Sequence, residues 1–426
     1  MDPPPTTSAA TTPPDSREHR NLSGRRLLAG AVAAQATISF VELGVPVLAP
    51  FIKTSLELSA AGIGALVAVL NVGRIIGSIP SGHLVDRIGE RRVMVAGGVG
   101  VAIFAALAST SSLPALLPAL LVIGVFAGSS SPAGSKLIFR AFPAHRRGLP
   151  IGIRQAAVPL GSLLATLILP AVAEASSWRL ALGLGAAVPL AGAFASAAAV
   201  REARAPVRTT GSQSALRAVA TDRAIVLAGV WAMLFVGGQY AILVYLVIDL
   251  TGRVRVALGT AVALLIAANA AGAIGRMGWG WLSDRVFGGQ RRPGLLLLTT
   301  LGAASASLLA GLSAGLPTWT AAPAAIFGGL SLLGWQGLWV ALVSELAPPG
   351  SAGTALGFGL TFTNVGIVIW PPLFGAVADA AGGGFGWSWT LLAAVLAVSL
   401  IPLLAIPARR TPRSRGLSNM SDITKD

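Results

Sequence analysis

Apolar runs of roughly 18 to 27 residues, the length of a membrane-spanning helix, alternate with short polar stretches along almost the whole chain. They lie at about 27–52, 59–84, 93–110, 114–140, 148–173 and 178–200, and then at 224–250, 257–282, 293–315, 320–346, 352–378 and 387–407. A helix rises about 1.5 Å per residue, so such runs match a hydrocarbon core about 30 Å thick. The pattern predicts an all-α polytopic membrane protein with twelve spanning helices. A polar connection at 201–223 separates a first six-helix bundle (25–200) from a second (224–407), with tails at 1–24 and 408–426. The first tail is rich in Pro, Thr and Ser and is expected to be disordered. The run after it is too long for a signal-peptide core and reads as a retained first span.

Composition strengthens this reading. Of the 426 residues, 54% are hydrophobic and only 11% charged, with a mean hydropathy of +0.76; soluble proteins carry about 25% charged residues. The net charge of +15 matters through its placement. Most of the 31 Lys and Arg fall at the termini, in 201–223 and in the even-to-odd connections, whereas Lys53, Arg179, Arg253 and Arg255 mark the opposite ends. Lysine and arginine collect in cytoplasmic loops. Both termini are therefore expected in the cytoplasm, with the chain in a bacterial cytoplasmic (inner) membrane, and nucleic acid is not needed to explain the charge. The absence of cysteine excludes disulfides, thiolate metal sites and a cysteine nucleophile. His19, His83 and His145 are far apart at hydrophilic edges, so neither a metal nor a cofactor is expected.

Two segments repeat. Gly82–Arg92 reads GHLVDRIGERR and Gly280–Arg292 reads GWLSDRVFGGQRR, each at the same end of the second span of its six. Gly82, Asp86 and Arg87 correspond to Gly280, Asp284 and Arg285, and each segment ends in paired arginines, Arg91 with Arg92 and Arg291 with Arg292. Spans five and eleven begin GLPIGIRQAAVPLG and GTALGFGLTFTNVG, aligning Gly148, Gly152 and Gly161 with Gly353, Gly357 and Gly366. Glu174 and Asp379 then fall at corresponding outer ends, and Arg140 corresponds to Glu345. Repeated halves are a transporter plan, with the substrate site between them near the midplane.

The G-x-x-x-D-R-x-G-x-R-R pattern, its weaker echo and the six-plus-six layout resemble the major facilitator superfamily over about residues 25–407. In the echo, Gly288-Gly289-Gln290 replaces the Gly-Glu segment. The resemblance implies that the first cluster latches the halves in an outward-facing state, with span eleven the acceptor for Asp86. Gly82 would let another backbone approach, the carboxylate would face a helix N-terminus, and Arg87, Arg91 and Arg92 would meet carboxylates or helix-end carbonyls. Gly280, Asp284 and Arg285 are the second-half counterparts, and Arg140 and Glu345 are expected to join the two charge clusters.

Ionisable groups inside spans are costly and mark function. Glu42 lies roughly 22 Å along span one, and Pro46, one turn later, bends the helix and frees a carbonyl. A carboxylate at that depth suits proton coupling; the alternative is a structural pair with Arg74. Arg74, roughly 18 Å in from Asp86, is also placed to clamp a substrate oxyanion. Arginines on spans two and eight resemble those of nitrate and nitrite porters within the superfamily, but Arg276 is offset by a turn from Arg74 and aligns with Ser78. The run VPLGS (Val158–Ser162) resembles only loosely the Gly-Pro motif of drug–proton antiporters, with Ser162 at the second glycine. Arg154 and Gln155 on span five, and Lys136 on span four, lie about 10 Å in, where they line a vestibule or snorkel. Deep polar groups of the second half are uncharged: Gln239, Tyr240, Tyr245, Asn269, Trp335, Gln336, Trp339, Thr361, Thr363 and Asn364. They suit a mixed apolar and hydrogen-bonding pocket, or serve as helix-packing glue. Gln239, Trp335 and Asn364 are the preferred contacts.

No G-x-x-x-x-G-K-[ST] segment is present for a nucleotide-driven pump. One deep Glu without a deep His does not make an enzyme site, and no span repeats a ring of like polar residues for a channel. The sequence therefore predicts a secondary transporter, not an enzyme, working by alternating access. Arginine outnumbers glutamate in the first-half cavity, which favours a small anionic organic solute moved with protons. Drug or natural-product/proton antiport is the alternative. The expected partners are that solute, protons and the lipid bilayer, with the chain a monomer.

Overall fold

Hydrocarbon offers no partners to backbone N–H and C=O groups, so an apolar run of spanning length folds as a helix that satisfies its own. The computed structural model describes the backbone of residues 14–142, 148–200, 213–348 and 351–407. Within these, side chains at 14–23, 79–83, 86, 129–131, 139, 148–149, 152 and 213–215 lie outside the description. Among the described residues, twelve helices are long and apolar enough to cross a membrane. The first six are α1 (Pro14–Val47), α2 (Ala60–Ile88), α3 (Glu90–Thr110), α4 (Leu113–Ala141), α5 (Gly148–Ala175) and α6 (Trp178–Ala199). The second six are α7 (Arg223–Gly252), α8 (Leu258–Arg285), α9 (Arg291–Gly311), α10 (Thr318–Leu346), α11 (Ala352–Ala380) and α12 (Gly386–Ala405). Each apolar run of the sequence corresponds to one of these helices.

Three departures are local. Helix α1 begins at Pro14, inside the stretch 1–24 expected to be disordered; proline is tolerated there because a helix's first N–H groups lack partners anyway. A short helix at Gln213–Thr221 lies within the connection 201–223 and packs on α11 and α7. Helix α10 is broken: a π-helical turn at Gly329–Leu333 separates Ala321–Gly328 from Gln336–Leu346. Residues 1–13, 201–212 and 408–426 lie outside the described ones.

Glycines set how closely the helices approach. Gly73 and Gly77 of α2 meet the backbone of Leu121 and Val125 on α4, while Gly124 and Gly128 of α4 meet that of Leu70 and Arg74. Lipid is as apolar as leucine, so backbone packing between small residues drives association where hydrophobic burial cannot. In the second half, fully buried Asp249 of α7 pairs with Arg253 at 2.6 Å and accepts from Trp389 Nε1 of α12 at 2.8 Å. The Arg253 guanidinium also donates to the carbonyls of Leu309 and Leu312 at the end of α9. A buried carboxylate without such partners would be strongly destabilising.

The halves meet along two seams, α2 with α11 and α5 with α8. Because the repeat aligns α2 with α8 and α5 with α11, these are two copies of one contact. The α2–α11 seam is tight at the end away from the termini. There Gly64 lies against the backbone of Pro371 and Pro372, and Gly375 against that of Ala60 and Ala61.

Candidate functional site

The packing of α4 against the Arg74 backbone fixes where the Arg74 side chain starts. Its Nε lies 3.3 Å from Glu42 Oε1 on α1, and its Nη2 donates to Asn364 Oδ1 on α11 at 3.2 Å. Glu42 is 8% exposed, so the pair matters electrostatically more than a surface pair would. One turn outward, the Tyr240 hydroxyl donates to Asn71 Oδ1 at 3.3 Å, and Asn71 Nδ2 donates to the Val67 carbonyl at 2.8 Å. The structure thus brings Glu42, Arg74 and Asn364 together across both halves. Asn71 is an addition that the sequence did not single out.

Other expected residues sit elsewhere. Buried Arg154 donates from Nη2 to Gln35 Oε1 on α1 at 3.1 Å and from Nη1 to Gln155 Oε1 at 3.4 Å. This is a group within the first half, apart from the central pair. Trp335 is fully buried among Trp231, Phe235 and Trp339. It serves as an aromatic core residue whose Nε1 donates to Gln239 Oε1 at 2.9 Å.

Gln239 instead lines a small cleft between the halves, with Ser162 of α5 and with Asn269 and Arg276 of α8. Ser162 Oγ donates to Asn269 Oδ1 at 2.9 Å, and Asn269 Nδ2 donates to the Leu265 carbonyl at 3.0 Å and to Thr166 Oγ1 at 3.4 Å. This network closes the cleft along the α5–α8 seam. Arg276 was set aside in the sequence because it is offset from Arg74, yet it faces the same space. Its Nε donates to the Leu333 carbonyl at 3.1 Å, and Trp279 Nε1 donates to the Leu330 carbonyl at 2.8 Å. A π turn disturbs the regular carbonyl ladder, and two α8 side chains satisfy carbonyls of that turn.

At the far end of the α2–α11 seam, the Asp379 carboxylate accepts from the Ala60 and Ala61 N–H groups, both at 2.8 Å. Tyr245 places its hydroxyl 2.6 Å from the Pro371 carbonyl and 3.0 Å from that of Ala60. The first N–H groups of a helix lack internal partners and form its positive pole. An acid of the second half therefore caps a helix of the first. The sequence aligned Asp379 with Glu174 but gave it no role.

At the end carrying the termini, charges pair within each half. Arg140 of α4 lies 2.8 Å from Glu90 of α3, while Arg291 of α9 reaches Asp284 of α8 at 2.5 Å and Glu345 of α10 at 2.8 Å. The described pairs of Arg140 and Glu345 thus lie within their own halves. Glu90, within the GHLVDRIGERR segment, is 4% exposed. Arg87, Arg91, Arg92 and Arg285 are exposed, and a Cβ added at Gly280 would meet no other helix within 4 Å. The Gly82 and Asp86 side-chain positions lie outside the described residues.

The comparisons with known proteins agree with this architecture. A model of the Major Facilitator Superfamily matches residues 31–371. An uncharacterized MFS-type transporter of Mycobacterium tuberculosis is 28% identical over 378 residues, covering 87% of this chain and 83% of its own. A probable 4-methylmuconolactone transporter of Cupriavidus pinatubonensis is 30% identical over 335 residues, covering 75% of each. Among solved structures, a D-xylose–proton symporter superimposes with a TM-score of 0.72 at 16% identity, covering 91% of this chain and 98% of the other.

Proposed function

The chain belongs to the Major Facilitator Superfamily, and on that premise we propose that this multi-pass secondary transporter moves a small anionic organic solute together with a proton. Both termini lie in the cytoplasm under this reading, where positive charge collects. The observation that carries it is the meeting of Glu42, Arg74 and Asn364, from three helices and both halves, in the middle of the bundle. Protonation of Glu42 releases its hold on Arg74, and the halves then part from Asn364. Arg74, Arg154 and Arg276 stand against the single midspan Glu42, which supports an anionic cargo. The relative named for 4-methylmuconolactone supports an organic solute as cargo.

Purified protein in proteoliposomes, offered a panel of organic acids and of lipophilic cations with and without a pH gradient, tests this. An organic acid should accumulate only when the gradient is present. Glu42→Gln should lose that accumulation yet still exchange preloaded solute. Export of lipophilic cations against the gradient would favour antiport instead, and undiminished accumulation in Glu42→Gln would remove the proton role.

A further inference from the structure

Resting on the transporter reading above, we propose that the cleft between α5, α7 and α8 is the cargo site, that Arg276 and Gln239 bind a carboxylate there, and that the cargo is a small monocarboxylate with an apolar body.

A guanidinium inside a membrane span is expensive and normally faces a partner or a cavity. Arg74 meets that demand with Glu42 and Asn364, so its charge is already matched within the protein. Arg276 is different. Among the described residues no carboxylate pairs with it, and its hydrogen bond is the one from Nε to the Leu333 carbonyl. A structural cap of that kind uses one of five N–H groups. The bond engages the side chain at its Nε and leaves both Nη groups without a described protein partner, on a residue that lines the cleft.

Gln239 supplies the second donor. The Trp335 indole N–H can only donate, so it takes the amide oxygen of Gln239 at 2.9 Å. The Gln239 N–H₂ is then left for the cleft, where no described group accepts from it. No acid lines the space; the rest of its wall includes Leu43, Pro159, Leu243 and Leu333. A guanidinium fork matches a carboxylate bidentately. Ser162 and Asn269 also line the cleft, but their donors are spent on each other, on Thr166 and on the Leu265 carbonyl. A hydrocarbon body is therefore favoured over a polyhydroxyl one, whose groups would be left unpaired. The space bounded by these residues, counted with the open solvent at its mouth, is about 280 Å³.

The test is binding of labelled benzoate to the purified full-length protein by scintillation proximity, with benzamide and glucuronate as competitors. Wild type should bind benzoate, with benzamide at least tenfold weaker and glucuronate also weaker. Arg276→Gln should weaken benzoate at least tenfold, and Arg276→Lys less. Ala273→Asp keeps Arg276 but sets an acid one turn away on the same wall; it should cause a similar loss and stands in if Arg276→Gln fails to fold. Absence of benzoate binding in wild type, equal binding of benzamide, or benzoate affinity unchanged by these substitutions would overturn the proposal. Flux in the same preparation separates the two readings. A protein that carries another solute but ignores benzoate loses only this site, whereas one that binds benzoate through Arg276 but moves nothing loses only the transporter reading.

Discussion

At the residue scale, the central pair and the cleft arginine differ in what their removal leaves behind. Arg74→Met strands Glu42, which is 8% exposed, as a buried charge without its partner. Breaking such a pair from one side costs roughly 3–5 kcal/mol. The low end applies, because the Arg74 side chain is 34% exposed and water screens part of the interaction. Glu42→Gln combined with Arg74→Met removes both charges and should recover most of the loss. Thermal unfolding of the three variants in one detergent checks this; a double variant no more stable than Arg74→Met would refute the coupling. The pair was legible in the sequence because depth along a helix follows from residue count, and Glu42 and Arg74 reach similar depth. Arg276 was not, because the repeat compares equivalent positions and Arg276 has Ser78 as its equivalent. What brings it to the cleft is the broken turn of α10, a feature of two glycine-rich helices in contact and of neither sequence alone.

At the scale of elements, hydropathy located all twelve helices because lipid enforces helix wherever an apolar run is long enough. It was silent about where two helices seal. The outer end of α2 illustrates this. Ser59 Oγ accepts from the Gly62 N–H at 3.0 Å, a local cap of the kind readable from sequence. The Ala60 and Ala61 N–H groups are instead capped by Asp379, 319 and 318 residues away. The α2–α11 seal therefore holds a helix cap that exists only while the halves touch at this end. Loss of a cap costs typically ~1 kcal/mol and up to about 2, or about 5- to 30-fold in an equilibrium. Asp379→Asn should shift the closed-to-open balance of the outer seal by an amount in that range. The chain has no cysteine, so Leu243→Cys on the cleft wall gives a clean reporter. An impermeant maleimide added on the side away from the termini should label it several-fold faster in the Asp379→Asn background. Gly64→Val, which drives a side chain into the Pro371 backbone, should accelerate labelling further. Unchanged rates in both variants would show that the seal does not rest on this contact.

At the scale of the molecule, the two seams bear on which end is open. The hydrogen bonds described between halves lie at midspan, as for Arg74 with Asn364 and Ser162 with Asn269, or at the far end, as for Asp379 and Tyr245. Near the termini, Gly353 and Gly357 of α11 face open space, and the Arg140 and Arg291 pairs described there stay within one half. Such pairing ties helices together within each six-helix bundle. The Asp86 latch expected from the sequence and the Asp379 cap then oppose each other. Each places an acid near the end of one seam helix, and helix ends favour unlike charge; only one contact can be made at a time if the halves rock as rigid bodies. A cysteine at Gly357 should react quickly with impermeant maleimide from the termini side, and Asp379→Asn should slow that reaction as it speeds labelling at Leu243→Cys. Asp86→Asn should do the reverse, raising reactivity at Gly357→Cys and protecting Leu243→Cys from the far side. A ligand shifts such a balance only by its differential affinity for the two states, so the variants are best compared first without solute. Parallel rather than opposite changes at the two reporters would mean that the two ends open independently, and alternating access through these seams would fail as a description of this chain.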